Sequence, residues 1–165
     1  MLPYFAYGSN LLDARLSART PSARYLCNAR LAAHRLAFHK AGSDDSAKCD
    51  AFFTGDAADV THGVLYQISP QDKTVLDAIE GVGHGYELKT VAVRTEAGMQ
   101  EAFTYVTQPE YINPKQKPFA WYHRFVLLGA LERGFPPAVI AAIEAVETQA
   151  DPNPDRAAAN RGIGG

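Results

Sequence analysis

Hydrophobic and polar positions alternate between two spacings along this chain, and the switches mark its elements. Residues 2–7 form a short apolar, aromatic run that reads as a buried strand. The run stops at Gly8-Ser9-Asn10, and helical spacing follows over about 11–18. Asn10 is placed to cap that helix, and Asp13 falls in its first turn, where the helix dipole favours a carboxylate. The Asn10…Asp13 pair resembles a capping box, and Thr20-Pro21 ends the helix. Strand-like runs follow at about 23–30 and 31–40, then a polar loop at 41–48, then strands at 50–54 and 63–68.

Ser69-Pro70 reads as an N-cap and first helical residue, and Val75, Leu76 and Ile79 give the helix an apolar face. That helix stops at Glu80-Gly81, ahead of a flexible segment with three glycines in Gly81–Gly85. Strands at 86–95 and 101–106 are joined by a turn at Ala97-Gly98. A Pro-containing loop at 108–118 leads to a helix over about 119–133. Gly134-Phe135-Pro136-Pro137 breaks the helical pattern before a final helix at 138–146. The chain therefore predicts one domain over 1–150 and a loosely ordered, flexible C-terminal tail over 151–165, rich in Pro, Ala, Asn and Gly. Strands cluster without regular βαβ alternation. The expectation is an α+β fold whose mixed, largely antiparallel sheet curls toward a barrel with flanking helices.

Composition narrows the function classes. The 165 residues carry a net charge of −2 and 47% hydrophobic residues, ordinary for a globular domain able to bury its own core. Arg and Lys are scattered rather than striped, so neither nucleic acid nor an anionic membrane is an expected partner. No leader-like segment opens the chain, and no apolar run approaches the ~18 residues that span a bilayer. Two cysteines, Cys27 and Cys49, are expected as free thiols, which suits a cytoplasmic protein. There is no P-loop, no Gly-x-Gly-x-x-Gly after a strand and no Gly-x-Ser-x-Gly elbow. The five histidines form no metal-ligand spacing, so neither metal nor cofactor is expected.

Two local features carry chemistry. A strand that turns tightly into a helix, as at Gly8-Ser9-Asn10, leaves unpaired N–H groups that suit a carboxylate or an oxyanion. Glu80 ends a predicted helix, where the negative end of the dipole and partial burial raise a carboxylate's proton affinity. That setting suits a proton acceptor near neutral pH. Each feature also has a plain structural reading: the turn as punctuation, Glu80 as a solvated helix end, and Tyr4, Phe5, Tyr7 and Trp121-Tyr122 as packing.

Together they are more specific. Tyr4-Phe5-Ala6-Tyr7-Gly8-Ser9-Asn10-Leu11, with Leu76-Asp77-Ala78-Ile79-Glu80-Gly81 about seventy residues later, resembles the gamma-glutamylcyclotransferase family. Tyr122 to Ala130, followed by Gly134-Phe135-Pro136, is similar to that family's last helices, so the likeness runs over residues 2 to about 148. The resemblance implies a small mixed β-barrel with flanking helices and a cofactor-independent enzyme, monomeric or homodimeric, acting on a small-molecule γ-glutamyl substrate. It implies that Glu80 is the catalytic acid/base. It also implies that Tyr4, Phe5, Ala6, Tyr7, Gly8 and Ser9 form the loop that binds the glutamyl group, mostly through backbone N–H groups, and that Tyr122 reaches the substrate. Val82 to Tyr86 departs in detail from the matching loop of the vertebrate enzymes, which leaves the leaving group open: amino acid, amine, or a biosynthetic intermediate carrying a γ-glutamyl group. A non-catalytic binding protein on the same scaffold is the reading from another class.

Overall fold

A computed structural model describes residues 1–164. In chain order the elements are β1 (Leu2–Ala6), α1 (Asp13–Arg19), β2 (Arg24–Ala32), β3 (His34–Ala41), β4 (Ala47–Phe53), β5 (Val60–Ile68), α2 (Pro70–Glu80), β6 (Tyr86–Thr95), β7 (Gly98–Thr107), α3 (Ala120–Glu132), α4 (Pro137–Glu144) and α5 (Pro154–Arg161). Five strands close into a barrel in the order β1-β5-β2-β6-β7. β1 runs antiparallel to β5, from Leu2 opposite Ile68 to Ala6 opposite Val64, and parallel to β7 through Tyr4 and Phe103. That one parallel seam makes the sheet mixed and sets the first strand between two neighbours. β3 and β4 form a separate two-stranded sheet. The Asp50 carboxylate ties it to the barrel by accepting from the Thr107 N–H at 2.9 Å.

The core follows the apolar positions of the sequence. Phe5, Leu11, Leu16, Val64, Tyr66, Ile68, Leu76 and Phe125 are fully buried, and each such side chain contributes about 1.5–3 kcal/mol. α3 buries Trp121, Tyr122, Phe125, Val126, Gly129 and Ala130. Gly129 presses on the turn after β1: a Cβ there would lie 2.5 Å from Leu11 Cβ and 2.7 Å from the Leu11 backbone. Only glycine permits that approach, so α3 holds the turn in place.

Three expectations change. Ser9–Leu11 is a 3-10 turn and α1 begins at Asp13, with Leu12 at its N-cap and no side-chain cap. Asn10 caps nothing, because its side chain is bonded elsewhere (below). On α2, Ser69 caps as expected, accepting from the Asp72 N–H at 3.1 Å, but only Leu76 is buried; Val75 and Ile79 face outward. The C-terminal segment expected to be loose carries α5. Asn153 accepts from the Arg156 N–H at 3.0 Å, and Asp151 accepts from Trp121 Nε1 at 2.8 Å and from Arg156 at 2.6 and 2.7 Å. The Asn and Pro that suggested a loose tail are, at Asn153-Pro154, helix-start chemistry. No helix among the described residues is long and apolar enough to cross a membrane.

Candidate active site

The turn after β1 and the end of α2 meet over a small polar cavity. Its walls include Tyr4, Tyr7, Gly8, Ser9, Glu80 and Tyr122, so six of the eight residues singled out in the sequence converge there. Phe5 and Ala6 do not reach it. Both are fully buried, and a strand paired on both sides spends its amides on its neighbours. Their part is to fix the strand that presents Tyr4 and Tyr7.

Asn10, Cys49, Tyr86 and Tyr105 complete the lining. Asn10 is the hub. Its amide donates to the Tyr4 hydroxyl and to Glu80 Oε1, both at 3.0 Å, and its carbonyl accepts from Arg19 at 3.1 Å. Arg19 also pairs with Glu80 Oε1 at 3.2 Å. Arg19 ends α1 and Glu80 ends α2, so one cation offsets the negative ends of both helices and the carboxylate itself. Glu80 is thereby held in one pose while its side chain stays 17% exposed, open to the cavity.

The phenols are fixed just as firmly. The Tyr7 hydroxyl donates to the Tyr105 carbonyl, and the Tyr86 hydroxyl donates to the Cys49 carbonyl. The Tyr122 hydroxyl accepts from the Cys49 N–H at 2.9 Å, and Tyr105 donates to Asp77 at 2.7 Å. Among the described residues the Tyr4 hydroxyl donates to no protein group, so its proton is free for a bound molecule. Burial first, then the negative charge of Glu80, holds the Tyr4 hydroxyl far above its ordinary value. Burial is the leading cause of the same upward shift at Tyr7, Tyr86, Tyr105 and Tyr122, and it pushes the Cys49 thiol up to about 12. All of these groups therefore stay protonated at neutral pH. Glu80 is the one carboxylate in the lining, the side-chain type suited to general acid/base work.

Three residues of the same lining also keep backbone donors unspent. Among the described residues the N–H groups of Gly8, Ser9 and Asn10 donate to no protein oxygen, while the Gly8 carbonyl accepts from the Leu11 N–H at 3.0 Å. The site thus pairs unspent amides with one positioned carboxylate. No three His, Cys, Asp or Glu side chains gather as metal ligands among the described residues.

Known proteins share this architecture. A profile of the AIG2-like family matches residues 60–143. Gamma-glutamylcyclotransferase of Homo sapiens is 31% identical over 151 residues, covering 87% of this chain and 78% of that protein. The chain belongs to the gamma-glutamylcyclotransferase family. The Mus musculus member is 30% identical over the same shares of each chain. A solved structure named gamma-glutamyl cyclotransferase superposes with a TM-score of 0.83 at 26% identity, covering 97% of this chain and 98% of that one. The barrel with flanking helices is therefore the fold of this family.

Sequence reasoning missed Asn10, Arg19, Cys49, Tyr86 and Tyr105. Asn10 was read as a cap, since Asn before a helical pattern has that meaning locally. Arg19 had an equally local explanation, a cation at a helix end. Tyr86 directly follows the glycine-rich segment after Glu80, and that adjacency is the one signal that marked any of the five.

Proposed function

We propose that this protein is a gamma-glutamylcyclotransferase: it converts a γ-glutamyl compound to 5-oxoproline and releases the amino acid or amine. The α-amine of the glutamyl group attacks its own δ-carbonyl carbon, forming the lactam C–N bond and breaking the original amide C–N bond. Glu80 takes the proton that the amine sheds and returns one to the departing nitrogen. The N–H groups at Gly8 to Asn10 receive the substrate's carboxylate or the tetrahedral oxyanion, and a lost oxyanion donor costs about 3 kcal/mol. Tyr4 and Tyr122, with Tyr7, shape the pocket around the folded substrate. Holding the chain in its cyclising form contributes several kcal/mol.

The observation that carries this reading is the single carboxylate, locked by Asn10 and Arg19, in a cavity whose other acids are too weak to ionise. A non-catalytic binder has no need of such a group. No nucleophilic Ser or Cys is required, because the substrate supplies its own nucleophile. The free thiols of Cys27 and Cys49 support a reducing, cytoplasmic setting. Incubation with γ-glutamyl amino acids, γ-glutamyl amines and glutathione, followed by mass detection of 5-oxoproline, tests the proposal. Lactam release from at least one class is expected; its absence from all three overturns the reading.

A further inference from the structure

Ser9, Glu80, Tyr86 and Tyr122 are shared between the inner cavity and a roomier outer chamber. The outer chamber is built differently. Four cations, Arg15, Arg19, Lys40 and Lys48, line it with only two carboxylates, Asp44 and Glu80. Arg19 is paired with Glu80 at 3.2 Å, and Lys48 with Asp44 at 2.9 Å. Arg15 and Lys40 have no carboxylate partner among the described residues.

Neither is a loose surface charge. Arg15 is 9% exposed; its Nε donates to Ser9 Oγ at 3.0 Å and its guanidinium lies 4.4 Å from the centre of the Phe125 ring. Lys40 is half-buried, with its ammonium 4.8 Å from the centre of the Tyr86 ring. Its stem occupies the space that a Cβ on Gly85 would take: that atom would come within 2.8 Å of Lys40 Cε and Nζ. The glycine in the segment beside Glu80 thus makes room for a cation. Holding unpaired cations out of water is costly. Burial first, then Arg19, lowers the Arg15 guanidinium to about 10, and burial lowers Lys40 as well. The chamber lining carries two more cations than carboxylates.

We infer that this chamber is the leaving-group subsite, and that it selects leaving groups with two carboxylates, namely γ-glutamyl derivatives of acidic amino acids. The inference rests on the cyclotransferase reading of the inner cavity. With the glutamyl group folded against the Gly8–Asn10 turn and its scissile amide at Glu80, the departing part extends past Tyr86 and Tyr122 into the cationic chamber. A γ-glutamyl amine brings no charge there, a neutral amino acid brings one carboxylate, and an acidic one brings two. Lys40 and Arg15 are positioned for one each.

The test compares kcat/KM for γ-glutamyl-glutamate, γ-glutamyl-alanine and γ-glutamyl-ethylamide, in the native protein and in Lys40→Met and Lys40→Glu. Each added carboxylate is expected to raise kcat/KM roughly tenfold, the usual effect of a charge-assisted contact. In Lys40→Met the ratio of γ-glutamyl-glutamate to γ-glutamyl-ethylamide should fall at least fivefold or so. Lys40→Glu should shift preference toward γ-glutamyl-lysine. Equal kcat/KM for the three substrates, or a preference that survives both substitutions, overturns the subsite while leaving the cyclisation standing. No lactam from any substrate overturns the cyclotransferase reading, and the subsite with it.

Discussion

Replacing Asn10 tests how the site holds its carboxylate. Asn10→Ala removes two donors and one acceptor: the bonds to Tyr4 and Glu80 at 3.0 Å and the bond from Arg19 at 3.1 Å. Arg19 and Glu80 keep each other and are partly exposed, so water replaces much of what they lose. Tyr4 is 4% exposed, and its hydroxyl loses its protein partner. An unsatisfied buried polar group costs about 1–3 kcal/mol, which at this chain length lowers the melting temperature by about 2–12 °C. Activity should suffer more than folding. With one of its two anchors gone, Glu80 swings, and a misplacement of about 1 Å costs up to roughly 100-fold. A kcat decrease of roughly 10- to 100-fold with a smaller change in KM is expected.

Asn10→Asp sharpens the test, because it keeps the shape and the acceptor for Arg19 but turns the donor facing Glu80 into a second carboxylate. At 3.0 Å the bare repulsion is about 5 kcal/mol for an effective dielectric of 20. The pair then shares a proton, and the base is lost at neutral pH. Turnover of the Asp variant should fall below that of the Ala variant, although Asp is the closer match in shape. Melting curves and steady-state 5-oxoproline release measure both quantities. Near-native kcat in Asn10→Asp would refute the reasoning, since donation to Glu80 would then be irrelevant to catalysis.

Three further outcomes follow from the same geometry. Tyr122→Phe strands the Cys49 N–H, which donates to that hydroxyl at 2.9 Å; a loss of about 1–3 kcal/mol should appear in chemical denaturation together with a fall in kcat/KM. Gly8→Ala places a Cβ 3.0 Å from Cys49 Cβ and 3.5 Å from the Tyr122 hydroxyl, so kcat/KM should drop roughly tenfold or more; full activity would mark the turn as structural only. The hydrogen bonds from Arg156 hold the Asp151 carboxyl below its ordinary value of 3.8, so its stabilising effect is complete above that value and fades as pH falls below it. Asp151→Asn should therefore lower the melting temperature at neutral pH, with the gap to the native protein closing in acid; a pH-independent gap contradicts the ion pair.

Much of this molecule was readable from local signals. Ser69-Pro70 and Gly81 bracket α2 by capping chemistry alone, and the apolar runs mark most strands within two or three residues. Glu80 stood out because a carboxylate at a helix C-terminus opposes the local field. What failed was whatever depends on distant partners. Asn10 has the character of a cap until Glu80, 70 residues on, claims its amide. Val75 and Ile79 fit an apolar stripe, yet only Leu76 meets the core. Asp151 and Asn153 read as a loose tail because nothing nearby reveals that Trp121 and Arg156 will bond to Asp151. The cationic chamber was invisible for the same reason: Arg15, Lys40 and Lys48 lie scattered along the chain, on α1, β3 and β4, and come together only around one folded chamber.

The central claim is that the carboxylate of residue 80 moves the proton. Glu80→Gln tests it most directly, because a glutamine oxygen still accepts from Asn10 and Arg19, so fold and cavity are retained. Single-turnover formation of 5-oxoproline, measured beside calorimetric binding of the same substrate, should fall roughly 100-fold or more with affinity nearly unchanged. Lactam formation within a few-fold of the native rate would contradict the account.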